Sequence, residues 1–340
     1  MKPTACTAVA GTNIALVKYW GKRGGPLNLP AAGSLSLTLR ELDTRTTVRF
    51  GGAPESPRAG GSRDRITLNG RDADDKTRRR VGAFLDLVRA RAALDEPAEV
   101  VTENSVPTAA GLASSASGFA ALALAASRAA GLVLPAEELS ALARQGSGSA
   151  ARSIFGGFVE MRPGTREDGT DAHAVPILQL DDAWPLRMVV AVTSEGEKAI
   201  GSTEAMQRTA ATSPYYRGWI DSVEGDLRDA RAAIAERDLR RLGAVAERSA
   251  LRMHACALAA DPPILYWSAA TMAAMLTVRD LRARGIDAFF TIDAGPHVKV
   301  LCEAAQAAVV AGALEATPGV RRTIVASPGP GAHVVPEAPG

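Results

Sequence analysis

PTAAGLASSASGFAALALA, residues 107 to 125, is the stretch on which the reading of this chain turns. A β-rich run, EVVTE (99–103), leads into it, and GFAALALAASRAAG (118–131), nearly all Ala and Leu with a glycine at its end, carries it on. The pattern predicts a strand, a loop of small residues and a buried helix whose small side chains permit close packing. Without bulky side chains, backbone N–H groups of the loop can approach an anion, and the helix N-terminus behind them adds roughly half a positive charge. Hydroxyls of Ser114, Ser115 and Ser117 add donors for phosphate oxygens or ligands for magnesium. The stretch has neither the Lys-Ser/Thr pair of a Walker loop nor the three spaced glycines of a dinucleotide fingerprint. A helix cap built for tight packing is the alternative that composition leaves open.

Working outward, LSLTL (35–39), TRTTVRF (44–50) and RITLNG (65–70) read as strands, with GGAPESPRAGGSRD between the last two as a hairpin loop. From Asp75 the spacing of Val81, Phe84, Leu85 and Val88 predicts a helix with one apolar face. FGGFVEM (155–161) and the segment around AVPILQL are further strands. A composition shift near Trp184 and Pro185 places a domain boundary there: 1–185, then 186–334, then a tail from 335 to 340. Beyond it, RMVVAVT, AFFTI, VKVLC and VRRTIVA read as strands. SVEGDLRDARAAIAERDLRRL (222–242) reads as one amphipathic helix and ILYWSAATMAAMLTVRDLRARG (264–285) as a longer, more buried one. Strands and helices interleave without a repeated parallel βαβ signature, so the fold class is α+β.

The 340 residues are 46% hydrophobic and 22% charged, ample for a buried core. With 39 basic against 37 acidic residues, the net charge of +2 provides no field to gather nucleic acid or an anionic membrane. No cleavage signature follows the N-terminus, and no run reaches about 18 apolar residues. A cytoplasmic protein is expected. Cys6, Cys256 and Cys302 are odd in number and far apart, which fits packed thiols rather than disulfides or a zinc site.

The loop resembles the second motif of the kinase superfamily that includes galactokinase, homoserine kinase, mevalonate kinase and phosphomevalonate kinase. Other segments narrow the resemblance: TNIALVKYWGK (12–22), NLP with SLSLTL (28–39), GSGSAARSIFGGFVEM (146–161), TSPYYRGWI (212–220) and TIDAGPHVKV (291–300). Together they resemble the diphosphomevalonate decarboxylases, in that family's order and over nearly the whole chain. The resemblance implies an N-terminal domain of the ribosomal-S5-like type, a C-terminal ferredoxin-like domain, and a cleft between them for both substrates. It implies phosphorylation of the tertiary hydroxyl of mevalonate 5-diphosphate by ATP. Loss of phosphate with carbon dioxide then leaves isopentenyl diphosphate. A homodimer is also implied.

Asp293 matches the family's catalytic aspartate and would accept the hydroxyl proton, although a turn-capping aspartate would look the same. Arg152 matches the group that binds the substrate carboxylate, a bidentate task Lys cannot perform. An interdomain salt bridge is its alternative. Lys18 falls beside the transferred phosphoryl group and Lys22 at the diphosphate. Ser147 and Ser149 are diphosphate donors, Tyr19 is a substrate wall, Asn13 orients the first motif or the carboxylate, and Lys198 and Ser202 belong to a segment that closes on the diphosphate. For the nucleotide, Pro107, Ala109, Gly111, Leu112, Ala113, Ser114, Ser115 and Ser117 form the cradle, with Asn104 and Ser105 toward base or ribose. Magnesium has no dedicated carboxylate cage and would travel with ATP, with Ser114 or Ser115 as further ligands.

Three positions depart from the family pattern: Gly33 before SLS, His297 in the aspartate turn, and Ser249 in RSALRMHA. A decarboxylase of mevalonate 5-phosphate, a mevalonate 3-kinase, an ordinary kinase of the superfamily and a non-catalytic sensor are the competing readings. The presence of Lys18, Lys22, Ser149 and Ser202 favours the diphosphate.

Overall fold

The structure, a computed structural model, describes residues 5–51, 63–105, 114–179, 184–194, 196 and 199–336, without the Ser114 side chain. The fold is α+β, built on two sheets. The first holds β1 (Cys6–Val17), β2 (Ser34–Phe50), β3 (Arg65–Leu68), β4 (Arg71–Asp72), β5 (Ala98–Asn104), β6 (Phe158–Met161) and β7 (Ala174–Leu178). The second contains β8 (Leu186–Val192), β9 (Ala288–Ile292), β10 (Val298–Glu303) and β11 (Arg322–Ala326) in the order β11-β8-β10-β9, every pair antiparallel. Counted from β8 this order is 4-1-3-2, with helices after its first and third strands, which is the ferredoxin-like arrangement.

Helices α1 (Asp75–Ala92), α2 (Ser114–Ala129), α3 (Ala136–Gly146) and α4 (Ala150–Ser153) belong to the first half. The second half adds α5 (Ser202–Thr212), α6 (Tyr216–Ala235), α7 (Leu239–Leu258), α8 (Ala269–Ala283) and α9 (Ala307–Glu315). Alternation along the strands decides which helices they meet. On β8, Met188, Val190 and Val192 join one core with Leu35 and Leu37 of β2, Leu227 of α6 and Leu242 of α7. Val189 and Ala191 face instead the core of Val278 on α8 and Val310 on α9. The shared core therefore locks the two sheets together through α6 and α7, and each fully buried Leu, Val or Ile in it contributes roughly 1.5–3 kcal/mol.

Several elements differ from expectation. LSLTL and TRTTVRF form one strand, because β2 changes partner along its length: Ser34–Leu37 pair with β6 and Thr44–Phe50 with β5, while Arg40 and Glu41 between them are exposed. TRTTVRF and RITLNG are not a hairpin, since β5 lies between β2 and β3 and pairs in parallel with β3. The helix expected over 222–242 is two helices. Arg237 has φ 54°, and the Asp238 side chain accepts from Arg241 N to start α7. The helix expected from Ile264 starts at Ala269, where Ser268 and Thr271 form a capping box, and stops as read at Gly285 with φ 84°. Residues 333–335, read as the end of the second domain and the start of the tail, form β12 (His333–Val335), which pairs with β1 in the first sheet.

One local feature aims the site. The β1–β2 register shifts between Gly11 and Asn13, and a Cβ on Gly11 would stand 2.1 Å from Leu39 O. The close approach of the two backbones requires glycine there. Replacing Gly11 by Ala is expected to cost about 1–3 kcal/mol by overpacking; chemical denaturation checks it, and an unchanged midpoint would remove the bulge from the account of the site.

Candidate active site

Lys18 is the first residue beyond β1, and Asp293 the first beyond β9. The Lys18 backbone N–H donates to Ser249 Oγ on α7 at 3.0 Å. Its ammonium donates to Ala15 O at 2.8 Å and to Asp293 Oδ1 at 2.6 Å. Lys299, on β10, brings a second ammonium to 3.2 Å from Asp293 Oδ2. Burial alone would raise the Asp293 carboxyl, but Lys18 and Lys299 outweigh it and hold the group well below the usual carboxylate range. Burial also pulls Lys18 down to about 8, against the opposing pull of Asp293.

Arg152 occupies the short helix α4 and is 2% exposed. Its Nε donates to Asn13 Oδ1 at 3.1 Å and Ser36 Oγ at 3.0 Å, and its Nη1 to Ser34 Oγ at 2.6 Å. Asn13 is itself oriented, since its Nδ2 donates to Ser149 O at 2.9 Å and Ser153 Oγ at 2.8 Å. Among the described residues no carboxylate pairs with Arg152, so the interdomain salt bridge is not formed. Burial lowers the guanidinium to about 10, and it stays charged at neutral pH. A buried cation with only neutral oxygens around it is an incomplete anion site.

Both groups open onto a cleft of about 870 Å³. Its described lining carries five cations, Lys18, Lys22, Lys76, Arg80 and Arg152, against two carboxylates, Asp293 and Glu204. Lys22 Nζ donates to Asn28 Oδ1 at 2.7 Å and to Thr203 Oγ1 of α5 at 3.0 Å. Burial, with Arg80 adding to it, lowers this ammonium to about 8. The Tyr19 hydroxyl is buried with no hydrogen-bond partner among the described residues. A Cβ on Gly148 would stand 2.2 Å from that oxygen, so the wall passes over a glycine. Among the described residues no group of three or more His, Cys, Asp or Glu is gathered to hold a metal. Nor, among the described residues, is any helix long and apolar enough to cross a membrane.

Residues 10–174 match the model of the diphosphomevalonate decarboxylase-like N-terminal domain, and 188–327 that of the mevalonate 5-diphosphate decarboxylase C-terminal domain. The chain belongs to the diphosphomevalonate decarboxylase family. It is 39% identical over 329 residues to the diphosphomevalonate decarboxylase mvd1 of Aspergillus fumigatus, covering 92% of this chain and 80% of that one. Among solved structures, the mevalonate diphosphate decarboxylase from Staphylococcus aureus superposes with a TM-score of 0.89 at 37% identity, covering 98% of each chain. That from Enterococcus faecalis gives 0.86 at 42%, covering 97% of this chain and 98% of that one. A structure titled MDDEF in complex with MVAPP, AMPPCP and magnesium gives 0.87 at 43%, with the same coverage.

Of the residues that the family resemblance singled out, Asn13, Lys18, Tyr19, Lys22, Ser115, Ser147, Ser149, Arg152, Ser202 and Asp293 all line the one cleft. Three others are not on its wall. Ser117 is buried, with Oγ 2.7 Å from Thr44 Oγ1. Asn104 Oδ1 accepts from Thr44 Oγ1 at 2.8 Å, and Ser105 Oγ accepts from Asp43 N at 2.9 Å. These side chains tie α2 and β5 to β2. Pro107, Ala109, Gly111, Leu112, Ala113 and Lys198 lie outside the described residues, as does the Ser114 side chain.

The family departures have local reasons. A Cβ on Gly33 would meet Leu227 Cδ1 at 2.7 Å and Met161 O at 3.3 Å, so α6 packs where a side chain would stand. His297 is buried off the cleft, its Nδ1 accepting from Thr193 N at 3.2 Å. Ser249 is the anchor of the Lys18 backbone. Sequence reasoning overlooked Lys299, Ser34, Ser36, Lys76 and Arg80. A lone lysine inside the apolar VKVLC run, serines alternating with leucines in SLSL, and two cations four apart on α1 were their signals.

Lys18 and Lys22 are cations below pH of about 8 and lose their charge as pH rises through it. Inorganic pyrophosphate, titrated calorimetrically into the protein, should therefore bind on the order of tenfold more weakly at pH 9 than at pH 7. Lys22→Met should flatten that dependence; an affinity independent of pH would show that these ammoniums do not face the anion.

Proposed function

We propose that this chain converts mevalonate 5-diphosphate and ATP to isopentenyl diphosphate, ADP, phosphate and carbon dioxide, as the decarboxylase of the mevalonate pathway of isoprenoid biosynthesis. The observation that carries the reading is Arg152, a buried guanidinium surrounded by neutral oxygens at the wall that also presents Asp293. A plain kinase has no need of such a carboxylate clamp. A decarboxylase does, because the departing carboxylate must be held while the neighbouring C–O bond breaks.

The Asp293 carboxylate, pinned by two ammoniums, orients the tertiary hydroxyl toward the γ-phosphorus. Such a carboxylate is a weak base. Phosphoryl transfer passes through a loose transition state, so the hydroxyl proton moves to it only late, as the new O–P bond forms. Lys18 is on one carboxylate oxygen, Oδ1, and Lys299 on the other, Oδ2; Lys18, which lines the cleft, stabilises charge on the transferred group. In the second step the C–O bond to the new phosphate breaks and the C–C bond to the carboxylate supplies the alkene electrons. Carbon dioxide leaves from Arg152. Lys22 and Tyr19, with Ser147, Ser149 and Ser202, surround the diphosphate, and Lys198 completes that set by family resemblance.

The excess of cations lining the cleft suits a nucleotide triphosphate, and the first turn of α2 brings Ser115 to it. The segment 107–113 forms the cradle in this reading. Magnesium neutralises the β- and γ-oxygens, and with no cluster of acidic ligands among the described residues it would rest on the nucleotide with a hydroxyl of Ser114 or Ser115. The gap between the two family models, 174 to 188, and the change of sheet between β7 and β8 support a division near residue 185. A homodimer in the cytoplasm, with neither nucleic acid nor membrane as partner, completes the reading and rests on family resemblance and charge balance.

The test is a substrate panel of mevalonate, its 5-phosphate and its 5-diphosphate with ATP and magnesium. Carbon dioxide with ADP and free phosphate is expected from the 5-diphosphate; a stable phosphorylated product without carbon dioxide would falsify the decarboxylase reading. Asp293→Asn should lower kcat by about a thousandfold or more with nucleotide affinity within about twofold. Arg152→Ala should lower kcat on the order of a hundredfold and also raise KM. Normal turnover by either variant excludes the role given to that residue.

A further inference from the structure

Lys299 takes no direct part in the reaction proposed above, and its surroundings give it an indirect one. It projects from a strand buried on both faces: its neighbours Val298 and Val300 pack in the core of α8 and α9, while Leu301 packs in the core shared by the two sheets. The Lys299 side chain is 1% exposed and is not part of the cleft wall, so it cannot touch a substrate. An ammonium in such a place is costly unless paired. Its partner is Asp293 Oδ2, a buried oxygen with no hydrogen-bond partner among the described residues and the Lys299 ammonium 3.2 Å away. The other oxygen, Oδ1, is already taken by Lys18 at 2.6 Å.

We infer that Lys299 is a positioning residue for phosphoryl transfer: from behind the cleft it fixes the second oxygen of Asp293, so that Lys18 and Lys299 clamp the carboxylate in one orientation. The inference rests on the reaction proposed above and deepens the role of Asp293 in it. Three features support a clamp over simple charge neutralisation. One ammonium would neutralise the carboxylate, and two are present, one on each oxygen. Each comes from a different sheet, Lys18 from the end of β1 and Lys299 from β10. And the carboxylate keeps a quarter of its surface, 26%, open while both lysine side chains are at 1%, so Asp293 is the most open of the three groups.

Among the described residues, Arg152 and His254 are the other titratable groups that act with Asp293. Arg152 on α4 acts on it at longer range, and His254 on α7 lies behind it, with Nε2 3.3 Å from Ile292 O. Burial, with Lys18 adding to it, brings His254 down to about 3, which leaves it neutral at working pH. The two lysines therefore decide the charge state of Asp293. Removing either should make the carboxyl easier to protonate and free to turn.

The test compares Lys299→Met, which keeps the stem, with Lys299→Arg, which keeps the charge. In Lys299→Met the acid limb of the kcat profile should move to higher pH by about one unit or more. At pH 7 kcat should fall on the order of tenfold, with KM for mevalonate 5-diphosphate within about twofold. Lys299→Arg should keep the acid limb where the unmodified protein has it. Carbon-13 titration of the aspartate carboxyls, with Asp293→Asn identifying the resonance, follows the same group with no substrate present. An acid limb and an Asp293 titration both unmoved in Lys299→Met overturn the inference. If Lys299→Met does not fold, the unmodified protein decides it: an Asp293 resonance titrating in the ordinary carboxylate range, about 3.9, also overturns it. Carbon dioxide release by the unmodified protein tests the proposed reaction separately, because the carboxyl titration needs no turnover.

Discussion

Two ammoniums on one carboxylate, Lys18 and Lys299 on Asp293, are the constraint around which the rest of this molecule is arranged. Asp293 and Lys299 belong to the second sheet and Lys18 to the end of a strand in the first, and Lys18 meets them because α6 and α7 bury Leu227, Val223 and Leu242 in the core shared by the two sheets. A buried ion pair by itself adds little to stability, whereas a buried charge left alone costs several kcal/mol. The cluster therefore works as a specification: any arrangement of the two halves that separates Asp293 from Lys18 strands charge in a dry interior. The apolar core provides the driving force, and the charges select one relative placement.

Arg152 follows the opposite logic. Its hydrogen bonds go to Asn13, Ser34 and Ser36, all neutral, so its geometry is fixed and its charge is not answered. Together the two clusters place a compensated anion beside an uncompensated cation on one cleft wall. Such preorganised charge is worth more in a water-poor site than in solvent, because the protein has met the cost of orienting it during folding.

Local patterning made much of the fold legible. The spacing of Phe84, Leu85 and Val88 marked α1, the Ala-rich run marked α2, and β-branched runs marked β8 to β11. The misreadings share one cause, competition between local and distant partners. β2 passes through exposed Arg40 and Glu41 without stopping because β6 and β5 pair with its two ends. The two helices joined at Arg237 look continuous in periodicity, and only a positive φ with the Asp238 cap separates them. β3 joins β5 and not β2, a choice made by pairing across the sheet.

The site divides along the same line. The sequence by itself singled out Asp293, Arg152, Lys18 and Lys22 through family motifs, since side-chain chemistry at a motif position is local information. Only the tertiary structure decided that Lys299 stands behind Asp293, that Ser34 and Ser36 hold Arg152, that Leu227 of α6 packs beside Gly33, and that Ser117, Asn104 and Ser105 hydrogen-bond to β2. The physical reason is that a charge's role depends on what it is buried against. For Lys299 that partner is six residues away along the chain and across the β9–β10 turn, and for Arg152 it is more than a hundred.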